Sequence, residues 1–126
     1  MILIFFQVFL SRAKKEECKK LLGSLRDGEK NAIITDFTIH SIIVIMNTFH
    51  KLNELETFLL SLQAYKGLHM YHTTVADEIR AIQIAREQNL DMDDAIQYSS
   101  AISTNADAII SLDKHFDNQK IPREKP

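Results

Sequence analysis

The sequence predicts an α/β fold, a small and mostly parallel sheet with helices on both faces, and three observations carry that prediction. Strand-like runs at residues 2–10, 32–35, 68–72 and 108–112 alternate with stretches of helical periodicity. The run at 32–34 is wholly apolar and that at 108–112 nearly so, as expected of strands covered on both faces. The chain has 126 residues, 45% of them hydrophobic and 25% charged, which suits a single domain spanning 1–126 with one core.

Each element has its own signal. Residues 2–10 are strongly apolar but too few for a bilayer span of about twenty residues. No basic start precedes them, as a secretory signal would need. The segment is therefore expected to be a buried strand or helix, either inside the sheet or in a dimer interface, in a protein of the cytoplasm with no membrane association. Cys18, Leu21, Leu22 and Leu25 recur at helical spacing, which predicts an amphipathic helix over about 11–26 ended by Asp27-Gly28. After the strand at 32–35, Asp36 or Thr38 can cap a helix running to about residue 50. Asn53 with Glu56 resembles a capping box for the next helix, and Gly67 stands where a C-cap belongs. Thr73 or Thr74 opens the helix that follows the strand at 68–72, with Asp77 and Glu78 in its first turn, where the helix dipole favours acids. Asp91 opens another, with Asp93 and Asp94 in its first turn, running to about Thr104. The strand at 108–112 then ends on Asp113.

Composition restricts function. The formal net charge is −2, so no overall basic surplus marks a nucleic-acid binder. Lys14, Lys15, Lys19 and Lys20 form one basic cluster, and Lys114, Lys120, Arg123 and Lys125 another; both read first as solvated surface. The three glycines form no dinucleotide or phosphate loop, and no nucleophile elbow is present. The single Cys18 forms no internal disulfide and sits at an apolar helix position. His69 and His72 are three apart on a strand and point to opposite faces, which argues against a zinc site built on that pair.

Two acids stand out by position. In a parallel sheet the ligand crevice lies outside the carboxyl ends of the strands. Asp94, at a helix start beside Asp93, and Asp113, at a strand end, both belong there. Carboxylates gathered in a crevice repel one another unless a cation lies between them, and Mg²⁺ and Mn²⁺ favour such oxygen donors. An ion held there activates water and neutralises charge on a phosphate.

The stretch Leu90-Asp91-Met92-Asp93-Asp94-Ala95-Ile96-Gln97-Tyr98, with Asn105-Ala106-Asp107-Ala108-Ile109-Ile110-Ser111-Leu112-Asp113-Lys114-His115-Phe116-Asp117 and Ile121-Pro122-Arg123, resembles the C-terminal half of a PIN domain. Upstream, Thr35-Asp36-Phe37-Thr38-Ile39-His40-Ser41-Ile42 and Glu16-Glu17-Cys18-Lys19-Lys20 are similar to an archaeal-type branch of PIN proteins related to the VapC toxins. The resemblance implies a PIN-like three-layer fold. It implies Mg²⁺ or Mn²⁺ weakly held by Asp94 and Asp113 with Asp93 adjacent, RNA as substrate, an antitoxin as partner, and a homodimer. It also implies losses. The family's first strand ends in Asp-x-Asn. One register sets Met1-Ile2-Leu3 on that motif, as if the chain began late. A second makes residues 2–4 the strand and sets Phe5-Phe6-Gln7 on it. Neither supplies an acid. The family's helix Glu falls near His40 or Ser41 and is missing too, so catalysis is expected to be weakened or lost.

Overall fold

The computed structural model describes residues 2–4, 15–110 and 123–124, with side chains for 19–109. Five strands form one sheet: β1 (Ile2–Ile4), β2 (Ala32–Thr35), β3 (Leu68–Tyr71), β4 (Ala108–Ile110) and β5 (Arg123–Glu124). Their order is β3-β2-β1-β4-β5, and every pairing is parallel. The apolar N-terminal run thus supplies the middle strand. The structure adopts the second register, with the strand at Ile2–Ile4; residues 5–14, on which the motif position then falls, lie outside the described residues.

Five helices are described: α1 (Lys15–Asp27), α2 (Asp36–Thr48), α3 (Leu52–Ala64), α4 (Val75–Gln88) and α5 (Met92–Ser103). The register shows how the sheet divides them. Ile33, Leu3 and Ile109 form one cross-sheet row, and Ala32, Ile2 and Ala108 the next. Adjacent rows face opposite sides. Ile109 joins Ala81, Ile84, Ala95, Ile96 and Tyr98 beneath α4 and α5, whereas Ala32 joins Leu21 and Leu25 of α1. Two cores on opposite faces make the three layers that the alternating pattern predicts.

Local chemistry corrects three capping expectations. Thr35, not Asp36 or Thr38, caps α2: its side chain accepts from the Thr38 amide at 3.1 Å. No capping box starts α3, because the cap residue is Lys51 and Asn53 already lies inside the helix. Gly67 is no C-cap, since Tyr65 ends α3. Gly67 is instead pressed against the loop between α1 and β2: a Cβ there would come within 2.0 Å of the Lys30 carbonyl oxygen. Gly28 does take the left-handed turn after α1 that was expected, with φ 81°. Thr74 caps α4 through a full capping box with Asp77.

Strand order sets the place of a site. From β1 the chain steps outward to β2 and β3, then returns to β4 on the other side of β1. The reversal opens a crevice at the carboxyl ends of β1 and β4, where open α/β sheets bind ligands. The C-terminal end of α5 leads directly into β4, so its first turn stands at that carboxyl edge.

Candidate metal centre at the carboxyl edge

Asp94 lies in the first turn of α5, and only 6% of its surface is exposed. Asp91, which precedes the helix, makes no side-chain capping bond, and Asp93 accepts from the Asp94 amide at 3.0 Å. The carboxylates of Asp91, Asp93 and Asp94 each offer an oxygen, and these atoms lie within 4.8 Å of one another. Among the described residues this is the one cluster of three or more metal-ligating side chains. Of the site residues expected from sequence, the structure sets Asp93 and Asp94 together, with Asp91 beside them. Asp113 lies outside the described residues.

Among the described residues, the side chains of α2 that face α5 near Asp94 are neutral. One turn along α5, the buried Gln97 donates from Nε2 to the hydroxyls of Thr38 at 2.8 Å and Thr35 at 3.1 Å. Thr35 ends β2, so this network ties α5 to the carboxyl edge. Ser41 follows Thr38 by three residues and shares its side of α2; its hydroxyl donates to the Phe37 carbonyl at 2.9 Å. Of His40 and Ser41, then, it is Ser41 that stands on the side of α2 facing the Asp94 helix. No buried polar atom of the described side chains lacks a hydrogen-bond partner.

The donor set fits a hard divalent ion in kind. All three ligating groups are carboxylates, and Mg²⁺ or Mn²⁺ takes such oxygens together with several waters. Among the described residues the fit is thin in number, because of the three acids only Asp94 is buried and Thr38, Ser41 and Gln97 carry no charge.

Sequence reading missed two features near this edge. The first is the Thr35–Thr38–Gln97 network, whose signal was a Thr three residues after a Thr at a helix start. The second is Asp36, which accepts at Oδ1 from the Phe37 amide (2.8 Å), the Thr73 amide (3.1 Å) and the Thr73 hydroxyl (2.9 Å). Burial would raise the Asp36 pKa, but the Thr73 and Phe37 donors outweigh it, His72 adds to them, and the net shift is downward. No local pattern links residues 36 and 73; the parallel pairing of β2 with β3 brings them together.

A parallel 3-2-1-4-5 sheet with a buried acid at the helix preceding β4 defines a class of α/β proteins that hold an acid-lined crevice at the strand ends. Within that class the chain belongs to the PIN-domain family, whose model matches residues 3–121. The fold is similar to that of a toxin-antitoxin complex from Klebsiella pneumoniae, with 15% identity over 100% of this chain and 98% of that one and a TM-score of 0.76. It is also similar to VapC20 of Mycobacterium tuberculosis, described as a sarcin-ricin loop cleaving toxin, with 12% identity over 100% of both chains and a TM-score of 0.77. At such identities the likeness is one of fold. A search of curated proteins gave no match. Among the described residues no helix is long and apolar enough to cross a membrane.

Proposed function

We propose that this protein is a toxin-type PIN ribonuclease of the cytoplasm with an incomplete metal site, in which Asp94 and Asp113 hold Mg²⁺ or Mn²⁺ weakly and Asp93 supports them. The observation that carries the reading is the buried Asp94 carboxylate, set beside two further carboxylates at the edge where such sheets bind ligands. The substrate is RNA and the reaction phosphodiester hydrolysis, as the description of the tuberculosis toxin suggests. When bound, the ion would activate water and offset charge on the phosphate. The chain's own part is to fix the carboxylate, and Gln97 does this by pinning α5 to Thr35 and Thr38.

An antitoxin protein is the proposed partner, in keeping with the Klebsiella complex. The proposed assembly is a homodimer. Val75 and Ile79 of α4 are 71% and 55% exposed, and Ile82 continues their line at 40%. A twofold contact buries the same patch on both copies, and this exposed apolar line on one side of α4 could supply it.

The neutral wall of Thr38, Ser41 and Gln97 favours a second reading, a non-catalytic module that binds RNA or protein in the same crevice. Activity separates the two. Mn²⁺ should bind in about the millimolar range, since so few protein ligands leave most positions to water, and calorimetry should show that Asp94→Asn with Asp113→Asn removes it. RNA cleavage by the purified chain with Mn²⁺ should be faint and should vanish in Asp94→Asn. Tight Mn²⁺ binding that survives the double substitution would exclude this metal site. Metal loading without any cleavage would favour the binding module.

A further inference from the structure

We propose that the edge of β3 is a docking site for an extended segment of a partner protein, which adds to the sheet as a further strand and sets apolar side chains into a hollow between β3 and α3. The inference does not depend on the ribonuclease reading, because β2 separates β3 from β1 and the crevice beside it.

The two edges of the sheet differ. β5 closes one side with Arg123 and Glu124, both charged. β3 closes the other with Leu68-His69-Met70-Tyr71, which holds no Asp, Glu, Lys, Arg or Pro and pairs with β2 residue for residue, without a bulge. Charge, proline and bulges are what blunt an edge, so β3 is open to another strand. One contact fixes which of its groups face outward. The Ala32 amide donates to the Gly67 carbonyl at 2.7 Å. The backbone groups of Gly67, His69 and Tyr71 therefore point to β2, and those of Leu68 and Met70 alternate away from it. The Leu68 amide turns back to the Tyr65 carbonyl at 3.3 Å. The Leu68 carbonyl and both backbone groups of Met70 have no partner among the described residues.

The side chains beside these groups complete the site. Leu68, Met70 and Ile34 share one face of the sheet, and with Ile39, Leu59 and Leu62 they line a hollow of about 340 Å³. Met70 is 51% exposed and Gln63 of α3 is exposed, so the mouth lies between β3 and α3, beside the open groups of Met70. A strand bonded to Met70 puts every second side chain on this face, where the hollow receives them. Leu59 and Gln63 also line a second hollow along α3, whose one charged residue is Glu56. The segment that fits is therefore extended, apolar at alternate positions, and basic rather than acidic at its end. A second copy of the chain does not meet this need. Its own Leu68 and Met70 already line its own hollow, so pairing two β3 edges would leave both hollows unfilled.

The probe is a capped synthetic octapeptide that alternates leucine and threonine between terminal lysines, titrated into the full chain by calorimetry. We expect one peptide per chain with a Kd of about tens of micromolar, because ordering a free peptide offsets part of the contact. N-methylation of alternate peptide amides should weaken binding at least about tenfold in one parity and leave it unchanged in the other, since only alternate amides face β3. Alanine in place of the leucines should also weaken it at least about tenfold. Glutamate in place of the lysines should weaken it about threefold, the scale of an exposed ion pair. Met70→Pro removes an outward N–H that a sheet edge does not need; folded, with a parent-like melting curve, it should bind at least about tenfold more weakly. The methylated peptides need no protein variant, so they decide the matter if Met70→Pro does not fold. Equal effects of the two methylation parities, full binding by folded Met70→Pro, or tighter binding of the glutamate peptide would overturn the site. Self-association of the chain that Met70→Pro abolishes would assign the edge to a second copy and overturn the partner reading.

Discussion

Asp77 and Asp94 occupy the same position in successive helices, three residues after the cap, and both are buried. Their surroundings differ. Asp77 is enclosed by donors: Tyr71 Oη at 2.6 Å, the Thr74 amide at 2.9 Å and Ser103 Oγ at 2.5 Å. Arg80 in turn donates to Ser103 at 2.9 Å. Asp94 has two carboxylates beside it and, one turn away, a neutral amide network. A buried acid surrounded by donors is satisfied and ties elements together. A buried acid with two further carboxylates beside it is a candidate to hold a cation. The position in the helix does not separate the two; the chemistry of the neighbours does.

The strongest test of this contrast adds the missing charge to the Asp94 side. Ser41→Glu places an acid on the side of α2 that faces α5, and Phe5→Asp with Gln7→Asn would supply the other at the motif position that follows β1 in sequence. A positioned charge at a transition state is commonly worth on the order of a hundredfold to a thousandfold in rate. The repaired chain should cleave RNA with Mn²⁺ by at least that factor over the parent, and Asp94→Asn should abolish the gain. A folded, metal-loaded repair that stays inert would favour the binding module.

Next in size is damage to the Asp77 side. Asp77→Ala removes the buried acceptor shared by Tyr71, Thr74 and Ser103 and breaks three part-buried hydrogen bonds at once. It should cost about 2–4 kcal/mol by urea unfolding, with the slope unchanged. A loss below about 1 kcal/mol would show that solvent replaces the clamp.

Acid should expose the same difference. Burial works to raise the Asp77 pKa, but Ser103, Tyr71 and Thr74 outweigh it and lower it from 3.8 to about 2. In the window between these values the unfolded chain binds the proton and the folded chain does not. Stability from Asp77 is therefore complete above about pH 4 and is lost as pH falls through about 2, a change of about 2 kcal/mol. Melting curves from pH 5 to pH 2 should show this loss in the parent and a smaller one in Asp77→Asn. Equal slopes would mean that the carboxylate is not the group that titrates.

Much of this was legible before any coordinates. The alternation of runs predicts the three layers, and Asp91 with Asp93 and Asp94 reads as a helix start, as it is in α5. Thr74 with Asp77 follows the spacing of a capping box, and of the two threonines that the sequence offers as the start of this helix, Thr74 is the cap. What stayed hidden depends on partners far apart in sequence. Asp36 with Thr73, Asp77 with Ser103, and Thr35 with Gln97 are joined by strand pairing and helix packing, which no window of ten residues contains. The false capping box at Asn53 and Glu56 shows the converse. The local pattern is overridden because the chain enters α3 two residues earlier, with Lys51 as the cap. The middle position of β1 was also only half legible, since an apolar run of nine residues fits a strand, a helix or an interface equally well.

The smallest effect expected is on stability at the metal side. Asp94→Asn removes one of three carboxylates whose oxygens lie within 4.8 Å of one another. In metal-free buffer near neutral pH that substitution relieves like-charge repulsion while keeping a polar side chain of the same shape. Two effects of opposite sign then compete: relief of repulsion, and loss of an acid from the favourable end of the helix dipole, worth about 0.3–1 kcal/mol. Their near cancellation should leave unfolding free energy within about 0.5 kcal/mol of the parent, in contrast to Asp77→Ala. Added Mn²⁺ should raise the melting temperature of the parent and not of Asp94→Asn, because only an ion bound to the folded state stabilises it. A large loss of stability in metal-free Asp94→Asn would place Asp94 with Asp77, as a structural acid, and would remove the main reason for a metal at this edge.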